Sequence, residues 1–503
     1  MPPRGLQSSS SSSSREKMPR SEALRSIRRS RAVVSVVRCK QCRTRLRCDV
    51  RSIDEHLQGC SARVNVTLMR GQEIKIPAVT YNSSSGSGSS SDEGSSSGAS
   101  KTGTRAVIER MEVEPPKELL KPLQLPQRIL TGPGPSNCSQ RVLKALEQQV
   151  LGHTHPEMFQ LMDEIKAGLR YAFQTKNNLT LAISASGHGG LEAAIGNVLE
   201  RGENMLIVKA GIWAERAADM AGRLGIRVDF METEFGVAFG LREFELAVSE
   251  YRPKAVFVVH SESSAGLKQP LEGLGDIVHK YGGLLIVDTV ASLGAEPFFA
   301  DAWGIDVVYT GSQKALGAPA GITPISFSPA AEKKILTRKS PVPVFYWDMT
   351  WLGRYWNCFD PRTPRPYHHT ISATLVYGLR EALAQLAEEG LAASWARHAN
   401  VSQKFHEGLA RRGYQLFVKQ PQHRLKTVTA IMLPDGVEAQ PIIRYAMDRY
   451  NLEFSGGLGP TAGKVIRIGL MGVNATSGHA DLVLRGLDDA VKYAKSCQLK
   501  SNI

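Results

Sequence analysis

Strand-sized apolar runs alternate with helix-length amphipathic segments from about residue 123 onward. The predicted strands are residues 179–184, 205–208, 255–260, 284–288 and 307–310. Between several of them lie segments with helical periodicity, such as residues 191–199 and 271–281. Because strand, helix and strand follow one another at this spacing, we expect a mostly parallel sheet that helices cover on both faces.

A long helical stretch at residues 372–389 follows this alternation and leads into a second α/β region, which ends in a helix at residues 481–495. The pattern therefore predicts an α/β fold with a large sheet domain, residues 119–370, and a smaller C-terminal α/β domain, residues 371–503. No apolar run is long enough to predict a transmembrane helix, and the first residues lack the apolar stretch of a secretory signal.

The N-terminal part differs in composition from the rest of the chain. Residues 1–35 are rich in Ser and Arg and predict a disordered basic tail, because such a segment buries too little apolar surface to fold. Residues 79–118 predict a flexible linker rich in Ser and Gly. The first 70 residues carry 16 Lys and Arg against 5 Asp and Glu, which is most of the net charge of +14. No aromatic platform or recognition helix accompanies this charge, so the sequence does not favour nucleic-acid binding.

Four of the seven cysteines fall within the first 60 residues. Two residues separate Cys39 from Cys42, and three separate His56 from Cys60. These ligand types at this spacing suit tetrahedral Zn²⁺. Residues 36–78 therefore form a candidate zinc-binding module that resembles small C2HC zinc fingers. A set of unrelated thiols in a basic tail is the alternative.

Two predicted strands deliver charged residues to what we expect to be one edge of the sheet. Asp288 ends one strand, and Lys314 follows the next after Gly311-Ser312-Gln313. A buried acid is costly without a cationic partner, and open α/β sheets bind ligands at the carboxyl ends of their strands. From the residues alone, a ligand site and a purely structural pair remain equally acceptable.

Ten short motifs lie between residues 130 and 469. They are LTGPGPSN at 130–137, MDEIK at 162–166, SGH at 186–188, GIW at 211–213, ESS at 262–264, VD at 287–288, GSQK at 311–314, YHHT at 367–370, GGLGP at 456–460 and RIG at 467–469. In order and spacing they resemble the class V, fold type I aminotransferases. The likeness is to the alanine–glyoxylate and serine–pyruvate aminotransferases and to the insect 3-hydroxykynurenine transaminases. It covers about 380 residues and implies a sheet of the seven-stranded type.

The resemblance implies a cofactor, pyridoxal phosphate, and a set of residues that hold it. Lys314 would form the aldimine with the cofactor aldehyde and then move the α-proton, and Asp288 would keep the pyridine nitrogen protonated. The other implied cofactor contacts are Ser186, Gly187, His188, Trp213, Ser263 and Gln313. Tyr367 and Thr370 would contact the phosphate from the neighbouring subunit, which implies a homodimer with composite active sites.

The resemblance also implies how substrate is held. Arg467 would grip the α-carboxylate bidentately, and Ser136 and Asn137 would line the substrate side of the pocket. The GHGG run at residues 187–190 favours transfer from alanine, or serine, to glyoxylate or pyruvate. The segments at 317–322 and 344–348 also resemble 3-hydroxykynurenine transaminases, which make xanthurenic acid, and this alternative stays open.

Two other classes are less favoured. Cysteine desulfurases need a mobile reactive cysteine, which no motif here contains, and typically place a His where Trp213 stands. A regulatory protein with an inactive transferase domain would be expected to lack Lys314 or Arg467, yet both are present. The compartment stays open. The resemblance favours the peroxisome, although the chain ends Ser-Asn-Ile rather than Ser-Lys-Leu, and the Arg-rich start allows the mitochondrion, with the cytoplasm as a further alternative.

Overall fold

The computed structural model describes residues 113 and 115–501, with side chains to residue 497, and the backbone of four short strands before them. Contacts divide the chain into two units, Met1–Lys121 and Pro122–Ile503. The first unit contains an antiparallel sheet of order β2-β1-β3-β4. Its strands are β1 Val34–Cys39, β2 Arg45–Leu46, β3 Val64–Leu68 and β4 Glu73–Ile76.

The predicted zinc site falls almost wholly outside the described residues. Cys42, His56 and Cys60 lie there, and of Cys39 only the backbone is described, at the end of β1. Within the described part of the chain, no three His, Cys, Asp or Glu side chains are grouped to hold a metal ion. The zinc module therefore stays a prediction from the sequence.

A seven-stranded sheet forms the centre of the second unit. Its strands, together with the short hairpin β9–β10, are β5 Leu179–Ile183, β6 Asn204–Lys209, β7 Arg227–Glu232, β8 Ala255–Val259, β9 Ser261–Glu262, β10 Leu267–Lys268, β11 Leu284–Asp288, β12 Val307–Tyr309 and β13 Thr323–Phe327. The order is β5-β13-β12-β11-β8-β6-β7, and only β13 runs antiparallel to its neighbours. The mostly parallel α/β fold is thus confirmed.

Helices cover this sheet. They are α1 Gln140–Leu146, α2 Pro156–Phe173, α3 Gly187–Val198, α4 Ile212–Arg223, α5 Leu241–Tyr251, α6 Leu274–Lys280, α7 Pro329–Leu336, α8 Met349–Tyr355 and α9 Ala373–Glu389. Every residue of β5, β8, β12 and β13 is buried, as expected for strands with helices on both faces. Single 3₁₀ turns occur at Lys117–Leu120, Phe345–Trp347, Pro421–His423, Gly459–Thr461 and Gly472–Asn474.

A smaller antiparallel sheet of order β14-β16-β15 follows in sequence. Its strands are β14 Val428–Met432, β15 Ser455–Gly456 and β16 Val465–Gly469, and its helices are α10 Leu391–Arg411, α11 Ala439–Tyr450 and α12 Ser477–Ser501. A second apolar core, including Phe405, Ile431 and Leu484, fills the space between them. No helix in the described part of the chain is long and apolar enough to cross a membrane.

Two strands of the large sheet were not predicted. In β13, Pro324 lies between Thr323 and Ile325, and a proline argues against a central strand because it cannot donate to the ladder. The sheet tolerates it: Pro324 pairs with Ala182, and its carbonyl accepts from the backbone N–H of Thr310. The other strand, β7, lies at the sheet edge and is largely exposed, so its sequence lacks a continuous apolar run.

His398 on α10 fixes the loop that follows β16. Its Nδ1 lies 2.8 Å from the carbonyl of Ser394, and its Nε2 accepts from the backbone N–H of Gly472 at 3.1 Å. Because a carbonyl only accepts and an N–H only donates, the ring must be neutral with its proton on Nδ1. Desolvation, with the charge of Arg397 adding to it, lowers the pKa of this buried histidine to about 4.

This histidine makes folding sensitive to acid. The unfolded chain binds a proton near pH 6.5, whereas the folded chain resists it until about pH 4, so stability is lost as pH falls through that window. His398→Gln keeps an acceptor for Gly472 but does not titrate. Between pH 7.5 and 5 it should therefore lose about 2 kcal/mol less unfolding free energy than the wild type in urea titrations. Parallel losses in the two proteins would contradict this assignment.

Candidate active site

A cavity of about 200 Å³ lies at the carboxyl ends of β8, β11 and β12. It is the position at which open α/β sheets bind ligands. Its lining consists of Ser186, Gly187, His188, Leu191, Trp213, Ser261, Ser263, Asp288, Val290, Ala291, Tyr309, Gln313 and Lys314. Eight of the ten residues predicted to contact the cofactor are therefore gathered around one space.

The other two, Tyr367 and Thr370, do not line this cavity. The Tyr367 side chain is 60% exposed, and its hydroxyl lies 3.5 Å from the hydroxyl of Thr370, which is also exposed. The two residues between them, His368 and His369, are buried. The two histidines are therefore buried, whereas the two hydroxyl-bearing residues on either side of them are exposed.

Asp288 ends β11 as a buried carboxylate. Its Oδ1 accepts from the backbone N–H of Val290 at 2.8 Å, and its Oδ2 accepts from the Tyr309 hydroxyl at 2.6 Å. Desolvation raises the pKa of Asp288 to about 6, although both hydrogen bonds and the charge of Lys314 oppose the rise. The acid is therefore held in place by two donors and is poised to change its protonation near neutral pH.

Tyr309 was not predicted as a site residue. It ends β12 and is the direct partner of Asp288 in the parallel register of β11 and β12. Parallel strands end at the same edge of a sheet, which brings both residues to that edge. Their direct contact depends on the register of the two strands, which one sequence does not display.

Lys314 lies in the turn after β12, and its ammonium donates to the carbonyl of Pro133. Desolvation, with the charge of Arg467 adding to it, lowers its pKa to about 8 against the opposing charges of Asp288 and Glu453. A side chain at Gly134 would collide with the lysine side chain, and the φ of +116° at this residue also favours glycine. The Gly-Pro-Gly-Pro loop can therefore pack directly against the amine.

The start of α3 forms another part of the lining. Ser186 is the N-cap residue and Gly187 the first helical residue, four positions before the predicted start at Leu191. The first turn contains no acidic residue, so the positive end of the helix dipole is not offset. Nearby, Oε1 of Gln313 is buried and has no hydrogen-bond partner among the described residues. A polar group left unpaired in this way fits a ligand that would complete it.

Trp213 lies in the first turn of α4, shortly after β6 ends at Lys209. Its indole Nε1 donates to the hydroxyl oxygen of Ser263 at 3.0 Å. An indole nitrogen can only donate, so the hydroxyl hydrogen of Ser263 remains free to donate elsewhere. The ring also meets His188 edge-on, with centroids 5.8 Å apart.

Arg467, on β16 of the smaller sheet, is buried but does not line the cavity. Its Nε donates to the carbonyl of Gly456 at 2.8 Å, and a terminal nitrogen donates to the carbonyl of Ser263 at 3.3 Å. Its guanidinium is thus held beside the Ser263 loop, close enough for its charge to lower the pKa of Lys314.

Ser136 and Asn137 lie outside the lining as well. The Ser136 hydroxyl donates to the carbonyl of Lys314 at 2.6 Å. The Asn137 side-chain oxygen accepts from the backbone N–H of Leu130 and from the side chain of Asn474, both at 2.8 Å. In this structure these hydrogen bonds connect the 130–137 loop to Lys314 and to Asn474.

Glu262 is a further buried acid, and it was not predicted as a site residue. Its Oε1 accepts from the backbone N–H of Ser264 at 3.0 Å, and its Oε2 from that of Trp213 at 3.4 Å. Desolvation, with the nearby charge of Asp288 adding to it, raises its pKa to about 7. Its own charge opposes the fall in the pKa of Arg467 that burial causes. Sequence position alone did not distinguish this acid from an exposed loop residue.

The chain belongs to the class-V aminotransferase family, whose profile matches residues 129–477. It is 49% identical over 386 residues to the alanine–glyoxylate aminotransferase of Drosophila melanogaster, covering 76% of this chain and 98% of that protein. It is 50% identical over 380 residues to the enzyme of the same name from Felis catus, covering 76% and 91%. The crystal structure of the alanine–glyoxylate aminotransferase of Nostoc sp. superposes with a TM-score of 0.72 at 42% identity, covering 76% and 98%.

Class-V aminotransferases use pyridoxal phosphate, and the residues of this cavity fit that group. The amine of Lys314 suits its aldehyde, and the carboxyl of Asp288 suits its pyridine nitrogen. The backbone N–H groups at the start of α3 suit its phosphate, and the side-chain NH2 of Gln313 is a further donor in the lining. None of the described cysteines, Cys138, Cys358 and Cys497, lines the cavity, in keeping with the preference for a transaminase over a desulfurase.

The amine itself provides a test of this electrostatic arrangement. In the cofactor-free chain, Lys314 should titrate near pH 8, and Arg467→Gln should raise that pKa because it removes a neighbouring positive charge. Reductive ¹³C-methylation followed by NMR titration measures the value, and a Lys314→Ala sample identifies the resonance. An unchanged pKa in the Arg467→Gln protein would show that the guanidinium does not act on the amine.

Proposed function

We propose that this protein is an alanine–glyoxylate transaminase that moves the amino group of alanine, or serine, to glyoxylate or pyruvate. The observation that carries the proposal is a lysine with a lowered pKa in the same cavity as a buried aspartate. Relatives that are 49% and 50% identical over nearly their whole length and bear this name support the choice of substrates.

The cavity residues would hold the cofactor from several sides. The backbone of Ser186 to His188 and the side chain of Gln313 would take the phosphate, Trp213 would stack on the ring, and Ser263 would donate to its hydroxyl group. Asp288 would keep the pyridine nitrogen protonated. When bound, pyridoxal phosphate supplies an electron sink for the charge left on the α-carbon.

Lys314 would then serve as the base. With a pKa of about 8, an appreciable fraction of its Nζ is unprotonated at neutral pH, so it can accept the α-proton and later return it. Arg467 would bind the substrate carboxylate, since its guanidinium is fixed by the carbonyls of Gly456 and Ser263.

Tyr367 and Thr370 would complete the phosphate site of a second subunit. Their exposure and their absence from the cavity of their own chain support this placement. The proposal therefore includes a homodimer in which each active site uses residues of both subunits. The zinc module at residues 36–78 remains a separate prediction.

A half-reaction assay tests the activity and its donor. The purified holoenzyme is mixed with alanine, serine or 3-hydroxykynurenine without an acceptor, and the visible absorbance of the cofactor is followed. Alanine should bleach it fastest. Bleaching by 3-hydroxykynurenine alone would favour the alternative transaminase that makes xanthurenic acid, and no bleaching by any of the three would refute the transaminase.

Lys314→Ala is the matching control for this assay. It should slow bleaching by about 10²- to 10⁴-fold, the usual contribution of a general base. Borohydride should leave cofactor covalently attached to the wild type and not to the variant. A variant that still retains reduced cofactor would remove Lys314 from its assigned role.

Tyr309→Phe tests how Asp288 is held. Without the hydroxyl donor, the pKa of Asp288 should rise above about 6, so the carboxylate is more often neutral near pH 7. We expect kcat to fall by about tenfold and the acid limb of the pH–rate profile to move to higher pH. Tyr281→Phe, at the surface near Glu245, should change neither. A drop in kcat without a shift of the acid limb would indicate a purely structural effect.

A further inference from the structure

Two adjacent buried histidines lie between the exposed residues Tyr367 and Thr370. They connect this segment by hydrogen bonds to the end of β5. The Nε2 of His368 lies 3.2 Å from the carbonyl of Phe345, and its Nδ1 lies 2.8 Å from Nδ1 of His369. The Nε2 of His369 lies 2.7 Å from the hydroxyl of Ser184. Four groups thus form one continuous chain of hydrogen bonds.

The chemistry of the end groups fixes the direction of this chain. The Phe345 carbonyl can only accept, so His368 carries its proton on Nε2 and its Nδ1 is an acceptor. His369 must then donate from Nδ1, and its Nε2 must accept the Ser184 proton. Burial lowers the pKa of His369 to about 4, so this ring is neutral near pH 7.

Aromatic rings hold the two imidazoles in this geometry. Phe345 stacks on His368 with centroids 4.8 Å apart, while Tyr346 and Tyr355 pack against His369 at 4.9 and 5.9 Å. A rotation of either ring would therefore break packing as well as hydrogen bonds. The chain is a rigid connection between the two segments that it joins.

The hydrogen-bonded chain lies between residues assigned to two different phosphate sites. Ser184 is two residues before Ser186, the N-cap residue of α3 in the cavity of its own subunit. Tyr367 and Thr370 directly flank the histidine pair in sequence, while the hydrogen bonds themselves end at the Phe345 carbonyl. If these two hydroxyl groups serve the partner, each subunit connects its own phosphate site to that of its neighbour through three side chains.

We propose that Ser184, His369 and His368 form a strut that couples cofactor loading at the two active sites of the dimer. The inference rests on the proposed function, and specifically on the contribution of Tyr367 and Thr370 to the partner. A phosphate bound at the active site of one subunit orders Tyr367 and Thr370 of the other subunit. In that other subunit, the strut then orders the start of its own α3. The second site then binds more tightly than the first.

The experiment titrates the cofactor-free full chain with pyridoxamine phosphate, which binds without a bond to Lys314, and follows tryptophan fluorescence. The wild type should bind with a Hill coefficient above 1. Ser184→Ala should bring it to 1 and raise the half-saturating concentration several-fold, because His369 loses its donor. Ser184→Thr keeps the hydroxyl and should restore the wild-type curve.

Ser326→Ala is the matched control. It removes the buried serine hydroxyl that is bonded to Thr180 at the far end of β5, and it should leave cooperativity unchanged. A non-cooperative wild type, or a Ser184→Ala curve that superposes on it, overturns the strut while alanine still bleaches the holoenzyme. Failure of the wild type to bind the probe, together with no bleaching by alanine, overturns the proposed function itself.

Discussion

Asp288 and Lys314 line the same cavity, and each has lost most of its water. Burial acts on them in opposite directions, since it raises the pKa of the acid to about 6 and lowers that of the amine to about 8. In water the ordinary values lie more than six units apart. Here both groups can change charge close to neutral pH. The remaining contacts of the site control how far each pKa moves.

Three segments that are distant from one another in sequence determine the size of these two pKa shifts. Tyr309, placed by the register of β11 and β12, donates to Asp288 and keeps its pKa from rising further. Arg467, from the smaller sheet, lowers the pKa of Lys314. The loop at residues 130–137 covers the amine, which Gly134 permits and Pro133 satisfies with its carbonyl. The reactivity of the lysine therefore depends on the docking of the smaller sheet as well as on the large one.

Local sequence patterns were sufficient to predict the features that depend on which stretches of the chain are buried. Five strands, their parallel arrangement and the shared edge of Asp288 and Lys314 follow from apolar runs and their spacing. β13 was not predicted because a proline, here Pro324, argues against a central strand. The pairing of β13 within the sheet outweighs this local preference. The contact of Tyr309 with Asp288 and the burial of Glu262 depend on register and tertiary packing, which one sequence does not display. Most site residues came instead from the family motifs.

The direction of the hydrogen bonds matters as much as their presence. Trp213 can only donate to Ser263, which leaves the serine hydrogen available to a ligand. Both oxygens of Asp288 already accept from protein donors, yet each retains a free lone pair for a cationic nitrogen. The start of α3 offers backbone donors with no acid beside them. The cavity lining thus offers a carboxylate acceptor, a hydroxyl donor and backbone donors at three separate points, and protein contacts hold the first two in place before any ligand arrives.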